Sequence, residues 1–314
     1  MRVAFAGVAH SHPFADAVNL AARGAHPAGV WDVDDPDRRE DFAARFGAPV
    51  FAELTELLAT RPDAVVATPR TPRAVEVALA CARAGVPVFF NKTIAADAAG
   101  LARWKALPQA PRFTSSVLRF APGLMAFAAA LPSRPRAIEV HAQHEITGFL
   151  DDARRWQDSP SGAGGTMLNI GVHAWEMLDV VLPGATVEIL SAMRAGGASP
   201  TASELLATVH ARAGETSVTV TISGVAGADR YAVRTWHDEG MRELVLPEDQ
   251  DGLGYIGTAD AVLRLAAGEI PVPAARTFAV YRNAVAAAET ARGSGTTGTW
   301  TGRADAPWSA GVRT

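Results

Sequence analysis

Short apolar runs that end in a turn residue and hand over to a helical pattern recur through the first third of this chain. They are Val3–Ala6 before Gly7, Gly29–Trp31 before Asp32, Ala64–Thr68, Val86–Phe90 and Phe113–Val117. A strand that is apolar at successive positions must be buried on both faces, and a parallel sheet covered by helices provides that environment. The intervening segments supply the helices. One opens at Pro13, one runs from an Asp35-Pro36 cap to Phe46 and stops at Gly47, one spans Arg73–Ala84 before Gly85, and one lies near Ala95–Leu107. The alternation predicts an α/β fold whose first domain, residues 1–118, is a doubly wound parallel sheet with right-handed crossovers.

From Arg119 the pattern changes. A helix near Pro122–Leu131 precedes an alternating strand, Ala137–His144, then a polar loop holding Arg154, Arg155 and Trp156, then a helix opened by Gly164-Gly165. Strands follow at Val187–Ala192, Leu205–Arg212, Ser217–Ser223, Tyr231–Trp236 and Arg242–Leu246, then helices at Thr258–Ala267 and Thr277–Ala291. Period-two alternation in Thr216–Ser223, after the turn residues Ala213-Gly214-Glu215, calls for hairpins. Residues 119–314 are therefore expected to form an α+β domain with a mainly antiparallel sheet. The Gly/Ser/Thr-rich stretch Gly293–Gly302 reads as a loop.

Charge and cysteine content narrow the partners. With Lys+Arg at 29 and Asp+Glu at 33, the net charge of -4 leaves no basic stripe for nucleic acid or an anionic membrane surface. A lone cysteine, Cys81, permits no internal disulfide, and no charged leader precedes the first strand. A cytoplasmic protein acting on a small molecule is expected.

The candidate chemistry lies in two places. If Gly164–Glu176 forms one helix, Asn169 and His173 share a face and Glu176 follows near the same stripe. In a doubly wound sheet, a ligand binds beyond the carboxyl ends of the strands, with phosphate at the first helix's N-terminus. A Gly-x-Gly-x-x-Gly loop there would fall on Gly7, Ala9 and His12, so only the first glycine is kept. His10 and Ser11 could donate to phosphate instead. Asp32 suits a ribose diol and favours NAD, whereas Arg38 and Arg39 keep NADP open. His10-Ser11-His12 also fits the His-x-His pair of a metal site on an eight-stranded barrel, but the second half lacks repeating strand–helix units. His141 and His144, three apart on a strand, would point to opposite faces.

Asn91-Lys92-Thr93 after the Val86–Phe90 strand, with Gly164, Gly165, Asn169, Gly171 and His173, resembles the glucose-fructose oxidoreductase and inositol dehydrogenase family (Gfo/Idh/MocA) over nearly the whole chain. That resemblance implies a Rossmann domain, cofactor contacts at Gly7, Ala9, His10, Ser11, His12, Asp32, Thr68, Pro69, Asn91 and Lys92, and hydride transfer between NAD(P) and a hydroxyl-bearing carbon of a sugar, cyclitol or polyol. Lys92 stands where the family's Glu-Lys-Pro motif has its catalytic lysine. Asn169 replaces an aspartate, His173 matches the proton-handling histidine, and Trp156 matches a common upstream tryptophan. Pro72 replaces a histidine that often follows Thr68-Pro69. Lys92, Arg119, Arg154, Trp156, Asn169 and His173 would border a substrate pocket between the domains, and family analogy implies a homo-oligomer. Because Asn169 cannot ionise, the alternative is a member without net redox turnover: a lyase or hydrolase using bound NAD, or a non-catalytic binder.

Overall fold

A computed structural model describes residues 1–195 and 200–293. Most of the Gly293–Gly302 stretch lies outside them. The first lobe holds strands β1 (Arg2–Ala6), β2 (His26–Trp31), β3 (Ala64–Ala67), β4 (Val88–Asn91) and β5 (Arg112–Ser115). They pair in parallel in the order β2-β1-β3-β4-β5. The winding reverses between β1 and β3, which opens a crevice at their carboxyl ends.

Side chains alternate across this sheet. Val3, Phe5, Val66 and Phe89 pack to one side; Ala4, Ala6, Val65 and Phe90 pack to the other. The helices of this lobe are α1 (His12–Ala21), α2 (Pro36–Phe46), α3 (Leu54–Ala59), α4 (Ala74–Ala84) and α5 (Ala98–Lys105). Asp35 caps α2 through the Arg38 amide. The sequence reading missed α3, whose one and a half turns are too short to show a period.

The second lobe adds α6 (Pro122–Ala129), β6 (Ala137–Gln143), α7 (Gly165–Asn169), α8 (Gly171–Val181), β7 (Glu188–Ala195), β8 (Leu206–Ala213), β9 (Thr216–Ser223), β10 (Arg230–His237), β11 (Gly240–Val245), α9 (Tyr255–Ala266) and α10 (Ala274–Gly293). Its sheet runs β11-β10-β6-β9-β8-β7. All pairs are antiparallel except the central β6–β9 pair, which is parallel. Ile138, Val140 and Ala142 bury one face in the large core, while Leu190, Met193 and Met241 are exposed.

Helix α9 comes late in sequence yet packs on α1 in the first lobe, where Ala259, Val262 and Leu265 close the core containing Phe5 and Phe89. Among the described residues, no helix is long and apolar enough to cross a membrane.

A buried ionic cluster ties the turn after β5 to the second lobe. Arg119 pairs with Glu176 and, at 2.7 Å, with Asp179, which also meets Arg276 of α10 at 2.8 Å. Arg119 and Glu176 are 5% and 0% exposed, so removing Arg119 would leave the Glu176 carboxyl buried without a counter-charge. Arg119→Met should therefore cost about 3–5 kcal/mol of stability, read by urea denaturation. Unchanged stability with a raised KM would instead mean that Arg119 serves the substrate.

Candidate active site

The site begins where β4 ends. Lys92 follows Asn91 through the strand's last peptide, and its ammonium reaches across to the second lobe. It donates to the Asn169 backbone carbonyl at 2.9 Å and to Asn169 Oδ1 at 3.1 Å. Only 6% of Lys92 is exposed. Burial, with the Arg154 charge adding to it and Asp229 opposing, pushes the amine down to about 7. Asn91 turns the other way: its Nδ2 donates to Asp16 of α1 at 2.9 Å, and burial pushes that carboxyl up to about 7.

Opposite Lys92, the helix read as continuous from Gly164 is two helices. α7 ends at Asn169, α8 starts at Gly171, and Ile170 lies between them. Two left-handed glycines make the entry. A Cβ on Gly164 would lie 2.5 Å from Leu168, and one on Gly165 would lie 2.6 Å from Glu204. Asn169 and His173, on either side of the break, line one cavity, whereas Glu176, further along α8, pairs with Arg119.

His173 Nδ1 lies 2.5 Å from the Ser116 hydroxyl, and its ring sits 5.4 Å from Tyr231. Burial, then the charges of Lys92, His144 and His10, hold the imidazole well below its ordinary value. It is therefore neutral at pH 7.

Lys92, Asn169 and His173 line a single cavity of about 80 Å³. His10, Ser11, His12 and Arg154 also line it; Arg119 and Trp156 do not. Further wall residues with no sequence motif are His144, Gln157, Asp229, Tyr231 and Tyr255. Only tertiary packing brings these together. Arg154 stacks its guanidinium 5.4 Å from the Phe149 ring and has no ion pair among the described residues.

The cofactor end of the crevice is built from the first lobe. Gly7 has φ +94°, and a Cβ there would lie 2.3 Å from the Pro69 nitrogen, so the β1 turn presses on the Thr68-Pro69 turn as only glycine allows. Ala9 donates its amide to the Thr68 carbonyl at 3.3 Å. Asp32 accepts from the amides of Val8 (2.7 Å), Asp34 (2.8 Å) and Asp35 (3.2 Å). A carboxylate has about four acceptor positions, so one remains for a ribose hydroxyl. Arg38 and Arg39 donate to the carbonyls of Val8 and Asp32. Among the described residues, Thr68 Oγ1, Thr71 Oγ1 and Asn91 Oδ1 are buried without a hydrogen-bond partner, as expected for atoms that meet a polar ligand. These residues fit a dinucleotide.

His12 takes the third glycine's place without crowding α1, because its ring stacks on Tyr255 at 5.6 Å and approaches His173 at 6.4 Å. His10 is different. Its Nε2 lies 3.3 Å from the Lys92 carbonyl, so the side chain bridges the β1 turn and the end of β4.

The family comparison agrees with this frame: residues 1–112 match the model of an oxidoreductase family with an NAD-binding Rossmann fold, Gfo/Idh/MocA. The N-terminal lobe belongs to this family. Its cofactor is NAD. Solved structures with similar folds include GenD2 from gentamicin A biosynthesis in complex with NAD, at 20% identity and TM-score 0.77, covering 94% of this chain and 93% of that one. The WlbA dehydrogenase of Bordetella pertussis, in complex with NADH and UDP-GlcNAcA, is 17% identical with TM-score 0.77, covering 94% and 96%. Myo-inositol 2-dehydrogenase from Lactobacillus plantarum is 13% identical with TM-score 0.77, covering 94% and 98%. At these identities the likeness establishes the fold. No curated protein matches the sequence.

The His10 side chain spans from the turn after β1 to the Lys92 carbonyl. His10→Gly should tighten NAD binding by about tenfold, measured by calorimetric titration. Weaker binding would mean that the imidazole holds phosphate.

Proposed function

We propose that this protein transfers a hydride between NAD and a hydroxyl-bearing carbon of a sugar, cyclitol or related polyol. The observation that carries this reading is the shared cavity of Lys92 and His173 beside an NAD-binding crevice. NAD supplies the acceptor or donor of the hydride. Lys92 directs its ammonium at the substrate oxygen and stabilises the negative charge that grows there. His173, neutral and buried, orients that hydroxyl. Asn169 holds the ammonium in place through two oxygens but gives it no counter-charge.

Arg154, which lines the same cavity and has no ion pair among the described residues, supports a substrate that carries an anionic group, such as a sugar acid. Exposed Leu190, Met193 and Met241 on the outer face of the second sheet support a homo-oligomer.

The test is turnover of a panel of sugars, sugar acids and inositols with NAD, followed by the absorbance of the reduced nicotinamide. Lys92→Met should lower kcat about 100-fold or more. The pH dependence is specific. With the amine at about 7, the ammonium is lost as pH rises through neutrality. A carboxylate beside it favours the charged form, so Asn169→Asp should move the alkaline limb of the profile upward and raise the rate at pH 8. Bound NAD with no turnover by any panel member, in the native protein and in Asn169→Asp, would favour the non-redox reading.

A further inference from the structure

The cavity that holds Lys92 carries a further histidine, His144, that the motif reading leaves without a role. His144 immediately follows β6 and Asp229 immediately precedes β10. These strands pair antiparallel with Arg230 opposite Gln143, so the register itself sets residues 144 and 229 side by side. His144 Nδ1 lies 2.7 Å from Asp229 Oδ2, and the His144 amide is anchored to the Ser223 carbonyl at 3.0 Å. With Nδ1 engaged by the carboxylate, Nε2 is the ring nitrogen left for a ligand in the cavity.

Of the four histidines that line the cavity, His173 and His144 differ in the company they keep. His173 is 4% exposed, meets a hydroxyl rather than a carboxylate, and shares its surroundings with Lys92, His10 and His12. A proton placed on it would sit beside the Lys92 charge, with no carboxylate in contact with it among the described residues. Asn169, the neighbour that would need to be acidic, cannot ionise. His144 and Asp229 are 34% and 33% exposed at the side chain, so the pair reaches both the cavity and solvent. Lys92, Arg154, Tyr231 and Tyr255 line the same cavity from other elements; among the described residues lining it, Asp229 is the one carboxylate.

We propose that the His144–Asp229 pair is the proton acceptor of the reaction, supplying from the second sheet the ionisable group missing at Asn169. This rests on the hydride-transfer reading above. In the oxidative direction the substrate O–H bond breaks and its proton goes to His144 Nε2. The electron pair of that bond becomes the second C–O bond, and the carbinol hydrogen leaves with its own pair as hydride, reducing NAD. Asp229 stabilises the imidazolium, which then loses the proton to water at the cavity mouth. His144 is catalytic in this scheme, and Asp229 is its positioning residue.

Two readouts test the proposal and keep its failure apart from failure of the redox assignment. The first needs no substrate. Carbethoxylation of the native protein by diethyl pyrocarbonate, mapped by mass spectrometry, should modify His144 well before buried His173, and Asp229→Asn should slow the reaction at His144 severalfold. The second uses the panel substrate with the highest turnover. His144→Ala should lower kcat about 100-fold with KM within about threefold, and added imidazole should restore part of the rate. A purely structural role would not give imidazole rescue. Selective modification of His144 in a protein that turns over no panel member would strike the hydride-transfer reading and support a reactive dyad. Failure of His144 to react ahead of His173, or full kcat in His144→Ala, overturns the proposal.

Discussion

An ammonium group buried between two lobes, held by the two oxygens of Asn169 and, among the described residues, by no carboxylate, sets the terms for everything around it. Taking a charge out of water disfavours its charged form, and the amine of Lys92 is accordingly drawn down to about 7. Two features keep it from being neutral throughout the physiological range. The Asn169 carbonyl ends α7, where helix carbonyls lack intrahelical partners and welcome a cation. Asp229, on the far wall, is the anion whose field favours the charged form. A growing alkoxide in the cavity would be the counter-charge that Asn169 does not provide, so the lysine binds the transition state better than the resting alcohol.

The geometry survives because both lobes are rigid where they meet. Lys92 is delivered by β4, which is buried on both faces, and Asn169 and His173 by two helices whose residues are almost wholly buried. Helix α9 crosses back from the second lobe onto α1, so Tyr255 can stack on His12 from the first lobe's own helix. The Arg119 cluster lies beneath the cavity rather than in it. Its charges neutralise one another, and its structural work is to fix the turn that carries Ser116, the hydroxyl touching His173.

The parallel sheet was legible in sequence because strands buried on both faces write continuous apolar runs, and caps such as Asp35 and Gly47 write local chemistry. What failed to show depends on distant partners. α7 and α8 read as one helix because Ile170 at the break is an ordinary helix residue with near-helical dihedrals. The parallel β6–β9 pair reads like its antiparallel neighbours because alternation is the same in either orientation. His144 and Asp229 lie 85 positions apart and meet only through strand register. Lys92, Asn169 and His173 were named from motif spacing and share one cavity. Arg119, expected at the border of the substrate pocket, and Glu176, named from helix spacing, serve each other instead. Trp156 lies outside the cavity wall, where its neighbour Gln157 takes part.

The central claim is that NAD reaches the cavity shared by Lys92 and His173. A crystal structure of the complex with NADH measures this directly. The account predicts the nicotinamide ring in van der Waals reach of both side chains, with the His10 imidazole swung off the Lys92 carbonyl. A nicotinamide held outside the cavity, with His10 still bridging to that carbonyl, would contradict it.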